Sequence, residues 1–138
     1  MATVNFFSEG IEFNIENPYQ VINWIERVIK DKGFAQGTIN YIFCSDDYLL
    51  GINQQYLDHD TYTDIITFYY SKSGVVSGDI FISIDRIKEN ASIYKTTFEN
   101  ELMRVIIHGI LHLTGIKDKT EAEGKEMRRN EDHYLNLF

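Results

Sequence analysis

The chain has 138 residues, 43% hydrophobic and 14% aromatic with a single proline, and this composition excludes collagenous, low-complexity and disordered readings. Its length suits one domain, residues 1–138, and size scaling lets such a chain bury about two thirds of its unfolded surface without disulfides or a structural metal. Thirteen Lys and Arg against 21 Asp and Glu give a net charge of −8, which opposes indiscriminate binding of polyanions, so a nucleic-acid partner needs a local basic patch or a metal.

Cys44 is the single cysteine. It permits no internal disulfide and no Cys-rich zinc site, which fits a reducing, cytoplasmic setting. The first basic residue is Arg27, so no charged leader is expected, and no run approaches the roughly 18 apolar residues of a membrane span.

In chain order, Thr3 to Phe7 and Ile11 to Ile15 read as one or two strands around a turn at Ser8-Glu9-Gly10. Asn17 and Pro18 read as N-cap and first helical residue. Val21, Ile22, Ile25, Val28 and Ile29 then recur at helical spacing until Gly33. Ile39, Tyr41 and Phe43 alternate with Thr38, Asn40 and Ile42 as a strand ends; Ser45 then caps a helix bearing Leu49, Leu50, Asn53 and Tyr56. Ile65 to Tyr70 and Asp79 to Ile84 form a hairpin across Ser71 to Gly78. A short helix follows, with Ile87, Ala91 and Tyr94 on one face. Thr96 with Glu99 forms a capping box for a helix from about Thr97 to Thr114, stopped by Gly115, and Thr120 with Glu123 forms another for a charged final helix. Strands interleaved with helices in this way predict an α+β fold with a mixed sheet, packed around the buried fourth helix.

That helix carries the chemistry. His108 and His112 stand one turn apart on one face, while Leu102, Val105, Ile106, Ile107, Ile110, Leu111 and Leu113 cover almost every direction around it. Buried imidazoles need partners, and a helix ended by a left-handed glycine can turn back so that Asp118 brings a carboxylate to the same ion. Three protein ligands leave a position open, the arrangement of catalytic rather than structural zinc. A chance match to this spacing is on the order of one in a thousand. Metzincin proteases share it, but they place a glutamate after the first histidine as general base, whereas here that residue is Gly109. A helix-interior glycine also costs about 1 kcal/mol against alanine, so something is expected to approach Gly109 closely.

The histidine motif, Thr63-Asp64-Ile65-Ile66-Thr67-Phe68 and Gly78-Asp79-Ile80-Phe81-Ile82-Ser83 together resemble the YbeY family, with order and spacing in agreement from Tyr41 to Tyr134. The resemblance implies a zincin-like fold and one Zn²⁺ per chain held by His108, His112 and Asp118. It also implies a single-strand-specific endoribonuclease that uses zinc-activated water in 16S ribosomal RNA 3′-end maturation and ribosome quality control. The partner is then ribosomal RNA or the small ribosomal subunit, and nothing in the sequence points to DNA specificity or to a membrane. Two departures stand out. Asp118 occupies the place where many members have a third histidine, which lowers the formal charge of a zinc site by one and weakens its pull on water and phosphate. Leu57 stands where the family commonly has an arginine thought to contact RNA, and His59 is the nearby residue able to take part of that role. A non-catalytic, zinc-stabilised ribosome-assembly factor and a metal-dependent hydrolase of another substrate are the alternatives.

Other features read more plainly. Asp64 and Asp79 are candidates to orient site residues. Arg104, Lys117, Lys119, Lys125, Arg128 and Arg129 lie near the motif, but the final helix mixes its cations with five acids and reads as a solvated face. Asp132-His133 reads as a surface pair, and Phe68-Tyr69-Tyr70 as packing rather than base stacking.

Overall fold

The computed structural model describes residues 3–57 and 62–138. In chain order these are β1 (Val4–Glu9), α1 (Pro18–Asp31), β2 (Ala35–Cys44), α2 (Asp46–Leu57), β3 (Ile65–Tyr69), β4 (Val75–Ser83), α3 (Ile84–Ile93), α4 (Phe98–Leu113) and α5 (Glu121–Leu135). The sheet runs β1-β2-β4-β3, with β1, β2 and β4 parallel and the edge strand β3 antiparallel to β4. The expected mixed sheet is therefore present, and so is the buried helix bearing both histidines.

Alternation assigns the two faces of the sheet. Ile39, Tyr41 and Phe43 of β2, with Ile80 and Ile82 of β4, are buried in one cluster with Ile25 and Val28 of α1 and Ile106 and Ile110 of α4. On the other face, α2 covers a smaller cluster built on Cys44, Leu49 and Ile66. A polar row crosses that second face. Asn5 donates to Asn40 (3.0 Å), Asn40 donates to Asp79 (3.0 Å), and the Tyr70 hydroxyl donates to Asp79 (3.1 Å).

Two glycines permit the close packing of α4. A Cβ on Gly109 would lie 3.0–3.2 Å from atoms of Ile80 and Ile65, so it is the sheet that approaches this residue. A Cβ on Gly78 would lie 2.5 Å from the Phe68 carbonyl oxygen and 2.9 Å from Leu113. The buried Tyr41 hydroxyl donates to the Ile106 carbonyl at 2.9 Å, which satisfies the phenol and fixes α4 on the sheet. At the far end, the Trp24 indole donates to the Tyr134 carbonyl (2.9 Å) and ties α1 to α5.

Several local expectations differ from the structure. Ile11 to Ile15 is not a strand: Gly10 turns the chain at φ 70°, and Phe13 packs edge-on against Phe43 and Phe98 while its carbonyl accepts from the Ser8 hydroxyl rather than from a strand. Asn17 is the N-cap of α1 but sits left-handed and makes no side-chain cap bond. The hairpin is tighter than the sequence suggests. Ser73 and Gly74, both at positive φ, form a two-residue turn closed by paired bonds between Lys72 and Val75, so β4 begins at Val75. Tyr94 is the exposed C-cap of α3 rather than part of its buried face. The cap of α4 is Thr97, which accepts from the Asn100 amide. Thr96 is already committed, because its amide bonds back to the Ala91 carbonyl in the turn that ends α3. The Thr120–Glu123 capping box forms as expected.

Two outcomes follow for stability. Gly78→Ala should destabilise the protein by about 1–3 kcal/mol, read from urea midpoints, because the added methyl meets backbone. Gly109→Ala should cost less, since its methyl meets side-chain atoms of Ile80 and Ile65 rather than backbone and regains helix propensity. Cys44 is fully buried, and burial first, then Asp46 and Asp85, push its thiol up to about 12. It should resist a thiol reagent at mildly alkaline pH and react at once in denaturant.

Candidate metal centre

Arg104, His108 and His112 recur every fourth residue and form one line along α4. The line ends at a helix stop that itself builds part of the site. Gly115, at φ 96°, lets its amide bond the His112 carbonyl (2.9 Å) and the Ile116 amide bond the Leu111 carbonyl (3.1 Å), a Schellman turn. The reversed chain brings the Ile116 carbonyl 3.0 Å from His112 Nδ1 and carries Asp118 across the front of both rings.

His108 Nε2 lies 3.3 Å and His112 Nε2 3.4 Å from the same atom, Asp118 Oδ2, and the three ligand atoms are all within 4.8 Å of one another. The rings stand nearly perpendicular, with centroids 4.5 Å apart. Each Nδ1 is already engaged: His112 Nδ1 by the Ile116 carbonyl, and His108 Nδ1 by Glu131 Oε2 at 2.7 Å. An oxygen acceptor on Nδ1 places the proton there and leaves the Nε2 lone pair directed at the common point, so the donor set fits a divalent cation. Asp118 is the most exposed of the three side chains, which leaves the site open on one side.

Glu131 was not legible as a site residue, yet it is the hub. Only 5% exposed, it uses Oε2 for His108, while Oε1 accepts from Arg104 at 2.9 Å and lies 3.9 Å from Arg128. Arg104 also donates to Asp132 at 2.7 Å, so that acid belongs to the clasp between α4 and α5 and is not a ligand. A signal for Glu131 was present: it lies between Met127 and Tyr134 in the buried stripe of α5, where an apolar residue is expected.

The environments of the two imidazoles differ. Burial opposes charge on His108, but the bond to Glu131 and the charges of Glu131, Asp118 and Asp64 outweigh it and raise its pKa. Burial, then the charge of His108, lowers that of His112, which keeps it neutral and available as a ligand. Beside His108 a cavity of about 270 Å³ is lined by Asp64, Glu101, Arg104 and Glu131 among others. Asp64 and Glu101 both have raised pKa values, through burial in each case; His108 and backbone bonds partly offset it at Asp64, and the Asp64 charge adds to it at Glu101.

Asp64 thus shares the cavity beside His108, whereas Asp79 lies elsewhere. Ile80 packs on Gly109, so its neighbour Asp79 faces the opposite side of the sheet, bonded to Asn40 and Tyr70. Leu57 lines a groove that also holds His112, Asp118 and Lys119, and His59 lies outside the described residues. Lys125 and Arg129 pair with exposed glutamates, as on a solvated helix face, whereas Arg128 lies near the buried Glu131. Among the described residues, Lys117 and Lys119 make no ion pair.

The sequence pattern of the family described as Endoribonuclease YbeY matches residues 7–138. A Flavobacterium psychrophilum protein named Endoribonuclease YbeY is 52% identical over 132 residues, covering 96% of this chain and 94% of its own. One of the same name from Cytophaga hutchinsonii is 48% identical over 136 residues, covering 98% and 95%. The solution structure of TM1509 from Thermotoga maritima is 30% identical, with a TM-score of 0.67 over 96% of this chain and 87% of that one. The chain belongs to the endoribonuclease YbeY family.

Proposed function

We propose that the protein is a single-strand-specific metallo-endoribonuclease that hydrolyses RNA phosphodiesters, with one zinc ion per chain held by His108, His112 and Asp118. The residues form one hydrolase domain, acting in the cytoplasm on ribosomal RNA of the small subunit, in 16S 3′-end maturation and ribosome quality control. The names of the relatives support the nuclease reading. The metal reading rests on one observation: two Nε2 atoms converge on Asp118 Oδ2 while both Nδ1 atoms are engaged elsewhere.

Zinc in such a site supplies a Lewis acid for a phosphoryl oxygen and acidifies a water. The chain's own groups set the conditions for this. Glu131 and the Ile116 carbonyl hold the imidazole tautomers, and Arg104 donates to Glu131 and so fixes the carboxylate that faces His108. Lys117 and Lys119 provide local positive charge on a protein whose net charge of −8 otherwise repels RNA.

Elemental analysis of the purified protein should give about one equivalent of zinc, lost in His112→Ala while circular dichroism shows the fold retained. RNA cleavage should require both the metal and His108; a folded, zinc-free wild type after reconstitution would overturn the proposal. Glu131→Gln should weaken zinc binding by about 10–100-fold, measured by chelator competition, because His108 loses its carboxylate partner.

A further inference from the structure

One aromatic ring beside the candidate ligands, that of Tyr69, packs against no other ring among the described residues and feels the charge of Asp118. Tyr69 ends β3 and pairs with Gly78 of β4, which offers no side chain to cover it. With Ile65 and Thr67 it lies on the α4 face of the strand. Its two aromatic neighbours are occupied: Phe68 packs edge-on against Tyr56 and Phe81, and the Tyr70 hydroxyl is bonded to Asp79. Tyr69 is 55% exposed, has no ring partner among the described residues, and lines both grooves that reach His112 and Asp118.

Lys119 lines the same two grooves and makes no ion pair among the described residues. A half-exposed aromatic ring and an ammonium group with no ion pair among the described residues, both lining the grooves at the candidate ligands, match the two parts of a nucleotide that do not depend on sequence. The ring takes the face of a base, and the ammonium takes a phosphate as a point charge.

On the basis of the nuclease reading, we propose that Tyr69 is the stacking platform for an unpaired base of the RNA strand at the metal centre, with Lys119 holding the adjoining phosphate. A base within a duplex has both faces covered by its neighbours and can reach the ring only by unstacking, so the platform selects single strands. Because every base has a π-face, the selection is tolerant of sequence. Packing against the core, the sequence-based expectation for this aromatic trio, holds for Phe68 and not for Tyr69.

The test is steady-state cleavage of a short single-stranded RNA of mixed sequence, and of the same RNA in a duplex, by zinc-loaded wild type, Tyr69→Ala, Tyr69→Leu and Tyr69→Phe. Tyr69→Ala and Tyr69→Leu should raise KM for the single strand on the order of tenfold and reduce the preference over duplex, with zinc content and Tm kept, while Tyr69→Phe stays near wild type. Lys119→Ala should lower the slope of log KM against log salt by about 0.7. Unchanged KM in Tyr69→Ala and Tyr69→Leu overturns the platform alone. Failure of the zinc-loaded wild type to cleave RNA overturns the nuclease reading and the platform with it.

Discussion

Gly109 lets α4 lie directly against Ile65 and Ile80, and the Tyr41 hydroxyl, donating to the Ile106 carbonyl, fixes the helix at one height on the sheet. Burial at this depth removes water from the inner side of His108 and His112, so each imidazole must find a protein acceptor for its Nδ1 proton. The two acceptors come from different sources. His112 is served by the helix's own C-terminal turn, while His108 is served by Glu131 across the α4–α5 interface. One imidazole is thus positioned by local backbone geometry and the other by tertiary packing, and both turn Nε2 toward Asp118 Oδ2.

The elements of this site were legible in the sequence to very different degrees. Spacing alone placed His108 and His112 on one face of a helix that is otherwise largely buried, and Gly115 predicted the reversal that carries Asp118 to them, because helix periodicity and a glycine stop are local rules. Glu131 escaped because its partner lies 23 residues away. Its place between Met127 and Tyr134 marks a buried acid, but no local pattern names the residue it binds. Asp79 was misplaced for a related reason: period-two alternation orders the side chains of a strand by face but does not say which face meets α4. Thr96 and Thr97 show the same limit at a helix start, where the choice between two adjacent caps was decided by the turn closing α3.

Charge is arranged against the overall composition. The cations of α4 and α5 are spent on structure: Arg104 binds Glu131 and Asp132, and Arg129 and Lys125 pair with acids on their own helix. The two lysines of the loop that carries Asp118 make no ion pair among the described residues, which leaves positive charge available at the open side of the candidate ligands on a chain of net charge −8.

The Tyr70–Asp79 bond, on the far side of the sheet from the histidines, has a bearing on them through strand register. β3 is an edge strand held on one side only, and a slip of a single residue would exchange its two faces, sending Phe68 or Tyr70 toward α4 and Tyr69 away from it. Asp79 cannot follow such a slip, because Asn40 holds its other oxygen and Asn5 in turn holds Asn40. The phenol of Tyr70 thus acts as a pin through the last strand. An amide and carboxylate ladder remote from the candidate ligands reinforces the register, set by the tight turn at Ser73 and Gly74, that stands Tyr69 beside them.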